Sequence, residues 1–245
     1  MSLNRVAAVV RKEVREFRRN RFVIGTMAVL PFVFLITPML TIFRIPNSAS
    51  GPQVKAAVGV ISILMLIIPI VIPPVIAAYS VVGERDQGTL EPVLTTPVRA
   101  SELLLGKAVA AFLPSVGIAY AIYLIVLISV GLGAAHVVRS VVFHPPELLA
   151  QILFTPLLAL WSIWVGIGIS TRASDVRVAQ QLASVAGLPL LGVTSLISFQ
   201  LIKPSVPIAI AFALALLAAD IAAWRVVSRL FDRERLVTGH RRTSA

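Results

Sequence analysis

Residues 56–83 read AAVGVISILMLIIPIVIPPVIAAYSVVG, twenty-eight positions without one charged side chain. Roughly 20 residues of helix cross the hydrocarbon core of a bilayer, so this stretch alone is long enough to span it. Working outward, residues 22–43, 108–138, 148–171 and 178–202 are also uncharged, and 204–224 holds a single acid, Asp220. Backbone amides and carbonyls in lipid must be bonded within their own segment, so these runs read as helices. They lack the apolar–polar alternation of a membrane barrel. The expected spans are 22–43, 57–82, 108–134, 148–171, 179–201 and 204–227. The outer end of the 108–138 run is expected to be loop, because the run exceeds what one span needs. No repeat or domain boundary is visible, so residues 1–245 read as a single all-α integral membrane domain.

Composition agrees. Of 245 residues 58% are hydrophobic and 13% charged, about half the usual globular share of charge. The mean hydropathy is +0.92. Thirty-three charged side chains cannot supply a polar shell for a soluble domain of this size, and the chain is too apolar to be disordered. The net charge of +11 suggests nucleic acid only until the charges are placed. They lie between and beyond the apolar runs, which makes the lipid bilayer the partner and leaves no nucleic-acid surface. With no cysteine there is no disulfide framework, iron–sulfur cluster or thiol nucleophile.

Lysine and arginine counts orient the spans. Residues 1–21, 84–107, 172–177 and 225–245 hold eighteen of these cations, and the three remaining loops hold four: Arg44 with Lys55, Arg139, and Lys203. Both termini are therefore expected in the cytoplasm, consistent with an even number of spans in the plasma (inner) membrane. Ser48-Ala49-Ser50 is a small-x-small triplet, but the preceding apolar run and charged leader are too long for a signal peptide, and no cleavage is expected.

Residues 5–20 have helical periodicity. Val6, Val9, Val10, Val14 and Phe17 share one face, and Arg11, Lys12, Arg15, Arg18 and Arg19 lie largely opposite. A basic amphipathic helix before a span reads as an interfacial helix on the cytoplasmic side. Inside the spans, Pro31, Pro38, Pro69, Pro73, Pro74 and Pro189 each remove a backbone donor, which suits a protein that rearranges and is also common background in membrane helices. Gly166-Ile167-Gly168 offers close helix contact without the four-residue spacing of the usual dimer motif. Asp220 is a candidate intramembrane polar site. Two readings stand: a helix-end acid that reaches the interface or Arg225, or a proton or cation site. The first is preferred, because proton relays gather several buried ionisable groups.

Catalytic motifs are missing. Gly106-Lys107 has Ser101 where a phosphate-binding loop needs glycine, and Ala108 follows. There is no G-x-S-x-G nucleophile turn. His136 and His144 lie in an outer loop without cysteine or a nearby acid cluster, so no metal site is expected. The chain reads as a non-enzyme without a cofactor of its own.

The most informative polar segment is 83–107, GERDQGTLEPVLTTPVRASELLLGK. Gly88 allows a tight turn. Thr89 can cap a short helix, with Glu91 and Pro92 in its first turn. Pro97 ends that helix, and Ser101-Glu102 start the next. Leu90 and Leu94, four apart, share a face.

This segment resembles the signature of type-2 ABC exporter permeases, in which G-T-L-E, L-x-T-P-V and E-x-x-x-G-K follow the second span. The order of a basic helix, six spans and two inside termini extends the resemblance along the chain. It implies a six-helix half-transporter that pairs with a second permease copy, as homodimer or heterodimer, and meets separate ABC ATPase subunits carrying ATP and Mg. Residues 84–97 would be the coupling helix, with Glu84, Gly88, Thr89, Leu90, Glu91, Leu94 and Pro97 as the ATPase-docking residues. Residues 5–20 resemble the family's interfacial connecting helix. Many relatives carry a large external domain between the first two spans, whereas here only residues 44–55 lie between them.

The expected function is the membrane-spanning permease subunit of an ATP-driven exporter. A small secondary transporter or channel is the first rival, and more buried charge than Asp220 would be expected of it. The membrane subunit of an ABC importer is the second, and the 83–107 motif argues against it. Sparse aromatics disfavour a sugar-stacking path. Reporter fusions test the topology: both termini should report cytoplasmic and a tag near Ser50 external, and an external C-terminus would contradict six spans.

Overall fold

The computed structural model describes residues 2–84, 99–173, 175–198, 202 and 205–230. Among these the protein is helical without a strand: α1 (Leu3–Phe17), α2 (Arg21–Arg44), α3 (Gly51–Ala78), α4 (Ala100–Gly133), α5 (His136–Val142), α6 (Pro145–Ser170), α7 (Val176–Ser198) and α8 (Val206–Leu230). A π-helical turn, Tyr79–Gly83, continues α3. Six of the helices are long and apolar enough to cross a membrane.

α3 is the centre of the bundle. About two thirds of its apolar window (67%) is buried inside the protein, against 18% for α2 and 22% each for α7 and α8. A helix that is apolar on every side stays ordered in lipid or in protein, and here its neighbours supply the cover. α2, α4, α6 and α7 pack around it, α8 packs on α6, and α1 lies against α4. Pro69, Pro73 and Pro74 are all buried within α3, which continues through them to Ala78. Each proline deprives a carbonyl one turn earlier of its amide partner. Such groups are tolerated at membrane depth where protein surrounds them.

The helices differ in extent from the expected spans, and α3 begins at Gly51 instead of residue 57. α4 begins at Ala100, so residues 100–107 belong to the same helix as the span that follows. At its start the Glu102 side chain accepts from the Arg99 amide (3.1 Å) and from the Ser2 amide (2.7 Å), tying the N-terminal segment to this turn. Where the sequence suggested loop, the short α5 buries Val138 and Val142 and packs against α3. Seven residues are too few to span a bilayer.

Gly166 and Gly168 serve different neighbours, because two residues place them on opposite sides of α6. A Cβ on Gly166 would stand 3.2 Å from Ala77 on α3, and one on Gly168 would stand 3.3 Å from Val227 on α8. Gly106 has less room still: a Cβ there would lie 2.5 Å from Val9 Cγ1 and 2.6 Å from Val9 Cβ. The missing side chain on α4 is what lets α1 settle.

Two glycines of α4 should therefore respond oppositely to alanine. A methyl group on Gly117 would have no neighbour within 4 Å, so Gly117→Ala should gain about 0.5–1 kcal/mol of helix stability. Gly106→Ala should lose about 1–3 kcal/mol, because α1 must back away. Thermal denaturation in detergent reads both, and a stabilised Gly106→Ala would show that α1 does not seat there.

Candidate functional site

The apolar stripe of α1 is interrupted by an acid. Val6, Val9, Glu13 and Phe17 are its buried residues, spaced by three or four. Glu13 thus points with the valines against α4 instead of outward with the arginines. Opposite it stands Lys107, also wholly buried. An ammonium taken out of water costs several kcal/mol unless carboxylates and further acceptors surround it. Lys107 Nζ has three: Glu13 Oε1 at 2.7 Å, Glu84 Oε2 at 2.7 Å and the Ser80 carbonyl at 2.5 Å. Ser80 sits in the π turn, where the helical ladder is offset by one residue and an outside donor can enter.

A second lysine closes the network. Lys12 on α1 donates to the other oxygen of Glu84 and lies 3.5 Å from Glu13 and 3.2 Å from Glu16. The ligand oxygens of Glu13, Glu16 and Glu84 converge within 4.8 Å of one another. The cation that they share is the protein's own Lys12 ammonium.

The two central carboxylates are not equivalent. Burial presses Glu84 toward its neutral form, but the charge and hydrogen bond of Lys107, joined by those of Lys12, outweigh it and hold Glu84 below the usual carboxylate range. Burial dominates at Glu13 and raises it above that range, with Lys107 opposing and the Glu84 charge adding to the rise. The geometry agrees, because Glu84 collects hydrogen bonds from both lysines while Glu13 Oε2 has no hydrogen-bond partner among the described residues. Burial also opposes the charge on Lys12, yet the Glu84 hydrogen bond and the surrounding carboxylates raise its affinity for the proton.

Of the docking residues expected from the sequence, Glu84 is the one described. It is 4% exposed and turned inward to Lys12 and Lys107, so its carboxylate is not a free rim charge. Gly88, Thr89, Leu90, Glu91, Leu94 and Pro97 lie outside the described residues. A cavity of about 440 Å³ opens beside Glu84, lined by Glu16, Arg19, Asn20, Arg21, Tyr79 and Gly83.

Residues 7–208 match the ABC-2 family transporter protein domain, most of the chain. The chain belongs to the ABC-2 transporter family. It is a multi-pass integral membrane protein and a transport component, in a family whose membrane subunit is not itself catalytic. Among curated proteins none matches the chain.

Elsewhere in this ABC-2 protein, Asp220 occupies the α8 stripe that also buries Leu216 and Val227. It is 3% exposed, and neither carboxylate oxygen has a hydrogen-bond partner among the described residues. Leu230 is ten residues further on, about 15 Å of helix. The preferred sequence reading paired this acid with the interface or Arg225, and the described residues show no such pair. Sequence reasoning missed Glu13, Lys107 and Ser80. Glu13 had a signal: an acid in register with Val6, Val9 and Phe17 on an otherwise apolar face. Lys107 closes the E-x-x-x-G-K element of the 83–107 segment, but a lysine beside a span usually reads as a topology charge.

Removing Lys107 should expose the cost of this arrangement. Lys107→Met should destabilise the protein by about 3–5 kcal/mol, the usual effect of stranding buried charge. Adding Glu13→Gln to that variant should recover part of the loss, since one stranded carboxylate is then gone. Thermal melts of the two single variants and the double variant give the coupling. Strict additivity would mean that Glu13 and Lys107 do not interact.

Proposed function

We propose that this ABC-2 permease is the membrane half of an ATP-driven exporter, acting as a pair of six-span units whose shared surface encloses the translocation path. Separate ATPase subunits carry ATP and Mg and dock on residues 84–97, on the cytoplasmic face of the plasma membrane where both termini also lie. The observation that carries the reading is the joining of the family match with the position of Glu84. The first residue of the docking segment is held by Lys107 and Lys12, so a force applied to that segment reaches α4 and α1 through ion pairs.

Further features support it. The 83–107 segment resembles the exporter signature, and eighteen of twenty-two lysines and arginines fall on the side assigned to the cytoplasm. α2 and α7 both pack on α3 and leave much of their apolar surface uncovered, with Val29 61%, Phe32 64%, Val185 60% and Leu188 55% exposed. A second copy set against these faces would cover them. α1 and the turn after it bring Arg11, Arg15, Arg18 and Arg19 to the same end of the bundle as Glu84, which suits an interfacial helix beside anionic headgroups.

Docking follows from one apolar face and a rim acid. Leu90 and Leu94 enter a groove on the ATPase, and Glu91 meets a basic rim. Copurification of the ATPase with each variant tests this. Glu91→Lys should weaken association mildly, by ~1 kcal/mol or less, because rim charges are exposed. Leu90→Asp should be more severe, since it carries an unpaired charge into the groove. Full retention of the ATPase by a correctly inserted Leu90→Asp/Glu91→Lys double variant would sink the docking role.

A further inference from the structure

Away from the docking loop, α6, α7 and α8 leave an open cavity of about 950 Å³ between them. That volume is at the upper end of the roughly 300–1,000 Å³ of small-molecule sites. Its walls are apolar: Trp161 and Trp164 on α6, Leu182 on α7, and Ala219, Ala223 and Val226 on α8 are representative. The Trp161 indole N–H is already taken by the Ala186 carbonyl at 3.3 Å, which removes one donor from these walls. Among the described residues no acid lines the cavity, and the one charged side chain in its lining is Arg172, in the turn that ends α6. Arg172 is exposed and makes no ion pair among the described residues.

The charge and the walls together define a ligand. A hydrocarbon chain matches the walls, and an anionic group matches the arginine at one end. Arg172 belongs to the arginine-rich side of the protein, where headgroups of the facing leaflet lie. Cationic pockets between membrane helices on that side are suited to anionic headgroups. The chain's own segment 231–245 is a poor occupant by charge, because four arginines outnumber its Asp232 and Glu234 and the charged side chain in the described lining is already positive. We propose that this cavity binds an anionic phospholipid, with an acyl chain along α6 between α7 and α8 and the phosphate on Arg172.

The site has a built-in reporter. Of the three tryptophans in the chain, Trp161 and Trp164 line the cavity, and Trp224 meets Trp164 edge to face at 5.0 Å between ring centres. The full chain is placed in nanodiscs of phosphatidylcholine and phosphatidylglycerol, with brominated acyl chains on one lipid or the other at equal mole fraction. Bromine quenches indole fluorescence at contact. The proposal expects quenching by brominated phosphatidylglycerol to exceed that by brominated phosphatidylcholine by twofold or more. Arg172→Gln, an exposed change that leaves the fold alone, should equalise the two lipids. Ala219→Leu/Ala223→Leu, which fills the wall with a good helix former, should weaken quenching by both. Equal quenching by both lipids in the unaltered chain would overturn the proposal, as would a preference that survives Arg172→Gln. Quenching that emerges only after deletion of residues 231–245 would make the chain's own tail the occupant and overturn it equally.

Discussion

Hydrocarbon offers no hydrogen-bond partner, and every feature of this protein answers to that fact. The backbone is helical through the membrane-crossing segments, and nearly all of the charge is expelled to their ends. Where a charge remains inside, it must be neutralised by the protein itself. Lys107 is the fullest answer, with two carboxylates and a carbonyl arranged around one ammonium. Relative to an apolar core of equal volume such a cluster adds little stability, because desolvation offsets much of the attraction. Its consequence is geometric: the ion pairs tie α1, α4 and the end of α3 to one another.

Two adjacent residues of α4 produce that placement. Gly106 removes the side chain that would keep Val9 away, and Lys107 on the next position reaches the acid four residues along α1. The π turn at the end of α3 adds the third element, since its offset ladder presents the Ser80 carbonyl and then Glu84. The segment proposed to meet the ATPase begins at Glu84. Its first residue is fastened to the interfacial helix and to the following span, so displacement of one requires that the charges move together or separate at several kcal/mol per stranded ion. In the proposed complex these ion pairs would carry a displacement of the docking segment to α1 and α4.

The same constraint explains the uneven burial of the spans. α3 is covered on most sides, while α2, α7 and α8 keep broad apolar surfaces. In water these would be a fault; in a bilayer they are surfaces for lipid or for a second copy. The cavity beside Trp161 and Trp164 differs from those surfaces by its single cationic end, which gives it a chemical preference where the flat faces have none.

Much was legible before any tertiary information. Uncharged runs the length of a bilayer determined six membrane helices, and charge bias and the 83–107 pattern pointed to one family. These are local properties: hydropathy over twenty residues and motif spacing depend on no distant contact. The partners of Lys107 were not legible, because they come from positions 94, 27 and 23 residues away and meet only when α1 and the end of α3 pack against α4. Nor was the inward turn of Glu84, which the sequence placed with Glu91 as a docking charge. A carboxylate's role is set by which cation stands within about 4 Å, and that distance exists only in three dimensions. Asp220 shows the same division: the sequence marked it as the one acid inside a span, and helix packing decided that it faces neither water nor Arg225.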